Sequence, residues 1–330
     1  MKTQKRVRIR GHLRQAGAAL LTAMLTVTLV ASLAAGALWQ QWRNVEVEAA
    51  ERARVQSLWV LTGALDWARL ILREDARTGG ADYLSEPWAV PLEEARLSTF
   101  LASDKNASAD SDNSASEVFL SGLITDLQAR LNVTNLVDNG KVSPAAQKAF
   151  AKLFELLGLP PGELAALAEN LRLALDTTPA NNAAQPVPLL PQRIDQLVWL
   201  GLSPASLAVL RPHITLLPAS TAVNLNTASP IVLFAVIPSL DMAQAQRLVS
   251  VRQTTPFTTL AQVTQQLGKL AEPLNLAQQG VNSRFFEVSG RLRLDQTVVE
   301  EYSVVQRDGI KVSTLWRDRG ARERQAAPLQ

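Results

Sequence analysis

The residue types that carry most enzymatic and metal chemistry are scarce in this chain. It has no cysteine, which excludes disulfides, thiolate nucleophiles and cysteine-ligated zinc. It has two histidines, His12 and His213, too few for paired imidazole ligands and a thin basis for a serine–histidine–aspartate relay. Carboxylates adjoin at Glu93-Glu94 and Glu300-Glu301. Sequence neighbours on a helix or strand point apart, so neither pair is a ready acid/base couple. Asp104, Asp110 and Asp112 lie in a stretch, 103–116, rich in Ser, Asp, Asn and Ala. They lack the glycine and closing glutamate of a calcium loop and read as a solvated linker. His213 follows Pro212 in an apolar setting and reads as a packed or surface histidine. No enzyme and no cofactor is expected.

The peptide bond between Gly17 and Ala18 is chemically more pointed. Before it lie Lys2, Lys5, Arg6, Arg8, Arg10 and Arg14 with no acid. These six charges exceed the net charge of +3, so the remaining chain is net negative. After it, nothing from Gln15 to Trp42 is charged. About 20 apolar residues suffice to cross a bilayer as a helix. Three readings compete. A cleaved secretory signal would use Ala31-Ser32-Leu33-Ala34-Ala35 as its small-residue site. A plain anchor would hold its basic flank inside. The third is the most specific: a basic leader ending in glycine, directly followed by the apolar run Ala18-Ala19-Leu20-Leu21, resembles a type IV prepilin-like signal. That resemblance implies cleavage after Gly17 by a prepilin peptidase, with the apolar segment retained. Most pilin-like proteins carry Glu at the fifth mature position, where it is thought to pair with the amine of the subunit above. Here that position is Thr22. A carboxylate in hydrocarbon is expensive without a partner, so Thr suits a subunit with nothing above it. Its hydroxyl can also bond a carbonyl of its own helix.

The elements that follow are predicted from periodicity. Val55, Leu58, Thr62, Leu65, Ala68 and Leu72 form one stripe, so the helix should run from about Ala18 to Arg77 and stop at Gly79-Gly80. Such a helix is roughly 90 Å long at 1.5 Å per residue. Trp39 and Trp42 stand where it should leave the bilayer. Pro87 and Pro91 make 81–102 irregular. Val118, Leu120 and Ile124 suggest a strand. Between 135 and 280 short helices are expected: 144–157, 161–175, 194–200, one near Leu207 and Leu210, one through Phe234, 243–252 and 260–267. Residues 177–191 read as a loop. From Phe286 the period changes to two, and Asp308-Gly309 signals a hairpin. Arg317 onward reads as a tail. A sheet made from both sides of a helical block, covered by the N-terminal helix, is the simplest arrangement.

This layout resembles the minor pseudopilin K family of the type II secretion system. Four stretches carry the resemblance: the leader with its uncharged fifth position; Pro87-Trp88-Ala89 with Ser121 to Asn132; Asn224-Leu225-Asn226-Thr227-Ala228; and the helical insertion followed by a small sheet. It implies an α+β pseudopilin fold, with a long N-terminal transmembrane helix on a small antiparallel sheet. It also implies a large inserted all-α domain of SAM-like, helix-hairpin-helix type. The expected divisions are a leader at 1–17, a membrane half at 18–42, a body at 43–134 and 281–317, an insertion at 135–280 and a tail at 318–330. The implied role is a subunit at the tip of the pseudopilus that starts assembly for export of folded proteins. Implied partners are minor pseudopilins I and J, the prepilin peptidase and the bacterial inner membrane, crossed once, with a periplasmic C-terminal domain. Helix packing in the membrane would use Ala18, Ala19, Ala31, Ala34, Ala35 and Gly36. Some members bind calcium through an acidic segment of the insertion; Glu169-Asn170-Leu171-Arg172 departs from that pattern. Asn224 to Ala228 also resembles the opening of helix-hairpin-helix proteins that bind DNA during competence, which gives an alternative: a membrane-anchored DNA-binding protein. Its hairpin would be Ile237-Pro238-Ser239-Leu240-Asp241, where proline removes a donor and aspartate repels phosphate, so no nucleic-acid partner is expected.

Overall fold

The computed structural model describes residues 16–97, 118–176, 187–268, 274–294 and 297–320. The basic leader before Ala16, the acidic linker with Asp104, Asp110 and Asp112, most of the expected 177–191 loop and the last ten residues lie outside them. The chain divides into two units, Met1–Trp59 and Val60–Gln330. One helix, α1 (Ala16–Thr78), runs through both. Its N-terminal part has mean hydropathy 2.1 over its apolar window and is long enough to cross a bilayer. The chain leaves α1 through Gly79 at φ +66°, whose N–H donates to Asp75 O.

In the second unit, α1 covers a five-stranded antiparallel sheet. The strands are β1 (Leu92–Arg96), β2 (Val118–Asp126), β3 (Phe285–Leu294), β4 (Thr297–Asp308) and β5 (Lys311–Arg319), paired in that order. The buried stripe of α1 is Leu61, Leu65, Ala68 and Leu72. Leu65 and Leu72 meet Ile124, Phe286, Val288 and Val305. Leu61 meets Leu120 and Leu292. The expected stripe is therefore shifted at its start: Leu61 takes the place of Thr62 because β2 and β3 supply leucines opposite it, and Val55 is exposed. Pro87 is followed by one 3-10 turn, with Trp88 edge-on to Phe286 at 5.2 Å.

Two expectations for the sheet need correction. β1 lies in a stretch read as irregular; its Leu-Glu-Glu-Ala-Arg sequence has no apolar alternation because it is a half-exposed edge strand. β5 continues to Arg319 instead of ending before Arg317, because Arg317, Asp318 and Arg319 pair with Ser303, Tyr302 and Glu301. The period on β4 is irregular for a related reason. Glu301 and Ser303 occupy buried positions on the α1 side, and a bulge interrupts the β4–β5 register between Val304 and Val305. Val304 is buried on the other face with Leu127, Leu217 and Phe285.

β2 and β3 are direct neighbours, paired from Val118↔Leu294 to Asp126↔Phe286. Everything from Leu127 to Arg284 is thus spliced into a β-hairpin. It forms helices α2 (Pro144–Leu156), α3 (Pro161–Leu175), α4 (Pro204–Leu210), α5 (Pro230–Val236), α6 (Met242–Thr254) and α7 (Leu260–Leu267), with a 3-10 helix at Ile194–Leu200. Ser143, Ser203, Ser229 and Asp241 cap α2, α4, α5 and α6 by accepting a bond from a first-turn N–H. The block has its own core, with Phe150, Leu153, Phe154, Leu167, Leu197 and Leu233 among its members.

Leu72, with no exposed surface, ties α1 to the sheet. Leu72→Ala is expected to cost about 2–5 kcal/mol, measured by denaturant unfolding of the detergent-solubilised chain. Val45→Ala, at an exposed position, should stay within about 0.5 kcal/mol.

Candidate functional site

The helical block leaves the sheet at the end of β2 and returns at the start of β3, and polar side chains make that joint. Asp126 closes β2 and is 2% exposed. Its Oδ2 accepts from Thr227 Oγ1 at 2.6 Å, Ser283 Oγ at 2.6 Å and Asn224 Nδ2 at 3.1 Å. Its Oδ1 accepts from the Gln128 N–H at 2.7 Å. Burial pushes the Asp126 carboxyl up, and the bonds from Ser283, Thr227 and Gln128 oppose that. Four donors facing one carboxylate satisfy its lone pairs.

Asn224, fully buried, is the block's counterpart. Its Nδ2 also reaches Ser283 Oγ at 2.9 Å and the carbonyl of Asp82 at 3.1 Å. Its Oδ1 accepts from the Asn226 N–H at 3.0 Å, so it does cap the turn as its sequence context suggests. Asn226 in turn bonds both backbone groups of Phe257. Gln128 spans the same seam, giving to Ala222 O and taking from the Arg284 N–H. Asn132 takes the N–H of Leu217 and gives to Ala219 O.

A charged layer adjoins this joint. Arg307, on β4, pairs with Asp75 of α1 and with Asp82, donates to Ser283 O at 2.7 Å, and lies over Phe286. The Ser283 N–H donates to Asp82 Oδ2 at 2.6 Å. Burial pushes Asp82 up, against the pull of Arg307. Asp75, Asp82 and Glu86 bring carboxylate oxygens within 4.8 Å of one another. The guanidinium of Arg307 already supplies the positive charge to the first two, so the group is an ion-pair cluster closed by arginine. Glu86 accepts from the Tyr83 N–H and from Trp88 Nε1 at 2.7 Å. Burial lifts its pKa to about 6.

The residues singled out in the sequence fall elsewhere. Gly17 and Ala18 stand in the first turn of α1. The Thr22 hydroxyl donates within the helix, to Ala18 O at 3.1 Å and Ala19 O at 3.0 Å. Ala18, Ala19, Ala31, Ala34, Ala35 and Gly36 are exposed, and Ala31, Ala34 and Ala35 share a face at three- and four-residue spacing. Trp39 and Trp42 have ring centroids 5.5 Å apart. Glu300 and Glu301 point apart, to Arg291 and to Arg319. Glu169 pairs with Arg172 on α3, and Asn170 bonds Leu200 O. His213 is half-buried, and its pKa is lowered by burial and by Arg130. At the α5–α6 hairpin, Lys152 Nζ binds the carbonyls of Ile237, Pro238 and Leu240 at 2.9, 3.2 and 3.4 Å, while Asp241 caps α6. That hairpin therefore turns its carbonyls towards a lysine of α2. Sequence reasoning missed Asp82, Asp126, Ser283 and Arg307; apart from the Gln128 N–H, the partners they meet in this joint lie 24 to 232 residues away, and no local pattern marks them.

A long apolar N-terminal helix, laid at its far end on an antiparallel sheet with a helical block spliced into one hairpin, defines the pseudopilin class with an inserted domain. Comparisons with known proteins agree. Two family models described as type II secretion system (T2SS), protein K match consecutively, over residues 129–219 and 223–281. Type II secretion system protein K of Pseudomonas aeruginosa is 28% identical, covering 93% of each chain. That of Pectobacterium carotovorum subsp. carotovorum is 26% identical, covering 93% of this chain and 97% of its own. A chain in the crystal structure of the GspK-GspI-GspJ complex from enterotoxigenic Escherichia coli superposes with a TM-score of 0.63 at 18% identity, over 83% of this chain and 99% of that one. Over 93% of its length the chain is thus similar to type II secretion system protein K.

Two outcomes are expected from the joint. Asp126→Asn turns an acceptor into a donor facing three donors and should destabilise by roughly 2–4 kcal/mol. Limited proteolysis should then cut faster near residues 127–130 and 281–283 than in the parent. Glu86 carries a folded-state pKa of about 6 against an ordinary 4.5, so the native state holds its proton more tightly than the unfolded chain. Raising the pH through that window therefore lowers this group's contribution to stability. The melting temperature of the parent relative to Glu86→Gln should fall over that window, and the Trp88 indole N–H resonance should titrate with a midpoint near 6 in the parent only.

Proposed function

We propose that this chain is the tip subunit of a type II secretion pseudopilus, processed after Gly17 and anchored once in the inner membrane with its remaining domains in the periplasm. The observation that carries the reading is at Thr22. Its hydroxyl is satisfied inside its own helix by Ala18 O and Ala19 O. A glutamate in this position would need a cationic partner from a subunit above; Thr22 needs none, which suits the last position of a filament. The inserted block supports the same reading, since a bulky domain above the sheet would obstruct a further subunit. The role is assembly, not catalysis: α1 packs with other pseudopilin helices in the membrane through Ala31, Ala34, Ala35 and Gly36. The similar solved chain was crystallised in a complex with GspI and GspJ, and minor pseudopilins I and J are the proposed partners here.

Intact-mass analysis of the protein recovered from membranes tests the reading. The expected species begins at Ala18 with a methylated amine. A species beginning at Met1, or after Ala35, would sink it.

A further inference from the structure

The hairpin between α5 and α6 ends α5 abruptly. Val236 is the last helical residue, Ile237 is extended at φ −98° and ψ 115°, and Pro238 cannot continue the helix. Carbonyls at such an end have no helical N–H to take. The side chains of Ile237 and Leu240 are buried in the core of the block, which fixes the turn. Three of its carbonyls then converge on one point. Lys152 Nζ stands there, 2.9 Å from Ile237 O, 3.2 Å from Pro238 O and 3.4 Å from Leu240 O. The same ammonium lies 4.2 Å from the centroid of the Phe234 ring.

The match is one of number and of charge. A lysine ammonium carries three donors and no acceptor, and it meets three carbonyl acceptors here. Carbonyl oxygens set around a cation replace its hydration shell. An aromatic face adds attraction for the positive charge. Among the described residues no carboxylate opposes the burial that pushes the Lys152 pKa down. Backbone dipoles and one ring therefore hold this cation. Lys148, one turn earlier on α2, is exposed.

We infer that the α5–α6 hairpin is a binding site for a monovalent cation of ammonium size, and that Lys152 fills it from within the chain. The lysine does for this turn what a bound ion would do. It satisfies carbonyls that the end of α5 leaves open, and it holds the turn against α2. Because the cation is covalently attached, the hairpin needs no ion from solution. Truncating the lysine leaves the carbonyls and the ring in place and opens the site to a free cation. The site is independent of the assembly role and of processing at Gly17.

The test uses the full chain in detergent, with ammonium chloride as the probe and tetramethylammonium chloride at equal concentration as the reference. Tetramethylammonium carries the same charge but has no N–H to give. Lys152→Ala should melt about 3–10 °C below the parent in the reference salt. Ammonium should return about half of that loss or more, and saturably. The parent and Lys148→Ala set the baseline response to the two salts and should share it. If Lys152→Ala is unfolded in the reference salt, the same comparison is read as recovery of its folded circular-dichroism signal on adding ammonium. Lys152→Met, whose chain follows the lysine stem without the charge, should melt below the parent and gain nothing beyond the baseline. A Lys152→Ala variant that melts with the parent, or that responds to ammonium no more than the parent does, would overturn the proposal. So would a Lys152→Met variant that gains as much from ammonium as Lys152→Ala.

Discussion

The structure depends on a carboxylate that cannot reach water. Asp126 ends the strand from which the helical block departs, and it gathers donors from the block, from the returning chain and from its own turn. An insertion joined to its host by two chain crossings is free to swing unless something else fixes it. Apolar packing at this seam is modest: Leu127, Leu217, Phe285 and Val304 form a small cluster beside the much larger core of the block. Directional bonds supply what the small contact does not. Ionised Asp126 is unfavourable without its donors, so the joint holds in one arrangement.

The arrangement is layered. Asn224, Thr227 and Ser283 close around Asp126; Asp82 links that group to Arg307; Arg307 reaches Asp75 near the end of α1. The end of the N-terminal helix, two strands and the inserted block therefore share one network. For a subunit that works by association, this has a consequence. A load taken by α1 near Asp75 and a load taken by the block near Asn224 meet in the same few side chains. Arg307 also removes the cluster of Asp75, Asp82 and Glu86 from the list of ordinary cation sites, since a guanidinium already stands against two of its three carboxylates.

Much of the outline was legible in the sequence. The uncharged run after Gly17, the helices of the block, their serine and aspartate caps and the Asp308-Gly309 hairpin follow from local periodicity and turn chemistry, and each has its observed counterpart. The Asn224 to Ala228 stretch stood out as a motif, and its turn-capping role was readable from its own residues. Its main role was not. Asn224 meets residues 98, 142 and 59 positions away. Edge strand β1 and the extension of β5 were also hidden, because charged residues on a half-exposed edge show no alternation.

By itself, the sequence determined where helices begin and end, that the N-terminal helix can lie in hydrocarbon, and that cysteine, paired-histidine and adjacent-carboxylate chemistry are missing. Those properties depend on neighbours within a few turns of chain. Only the tertiary structure decided which polar residues become buried partners, and why Glu301 and Ser303 interrupt an apolar strand. A buried polar side chain is stable only when its donors and acceptors are matched in space. For Asp126, Asn224, Ser283 and Arg307 those matches are made across strands and across the insertion, at separations that leave no period in the sequence.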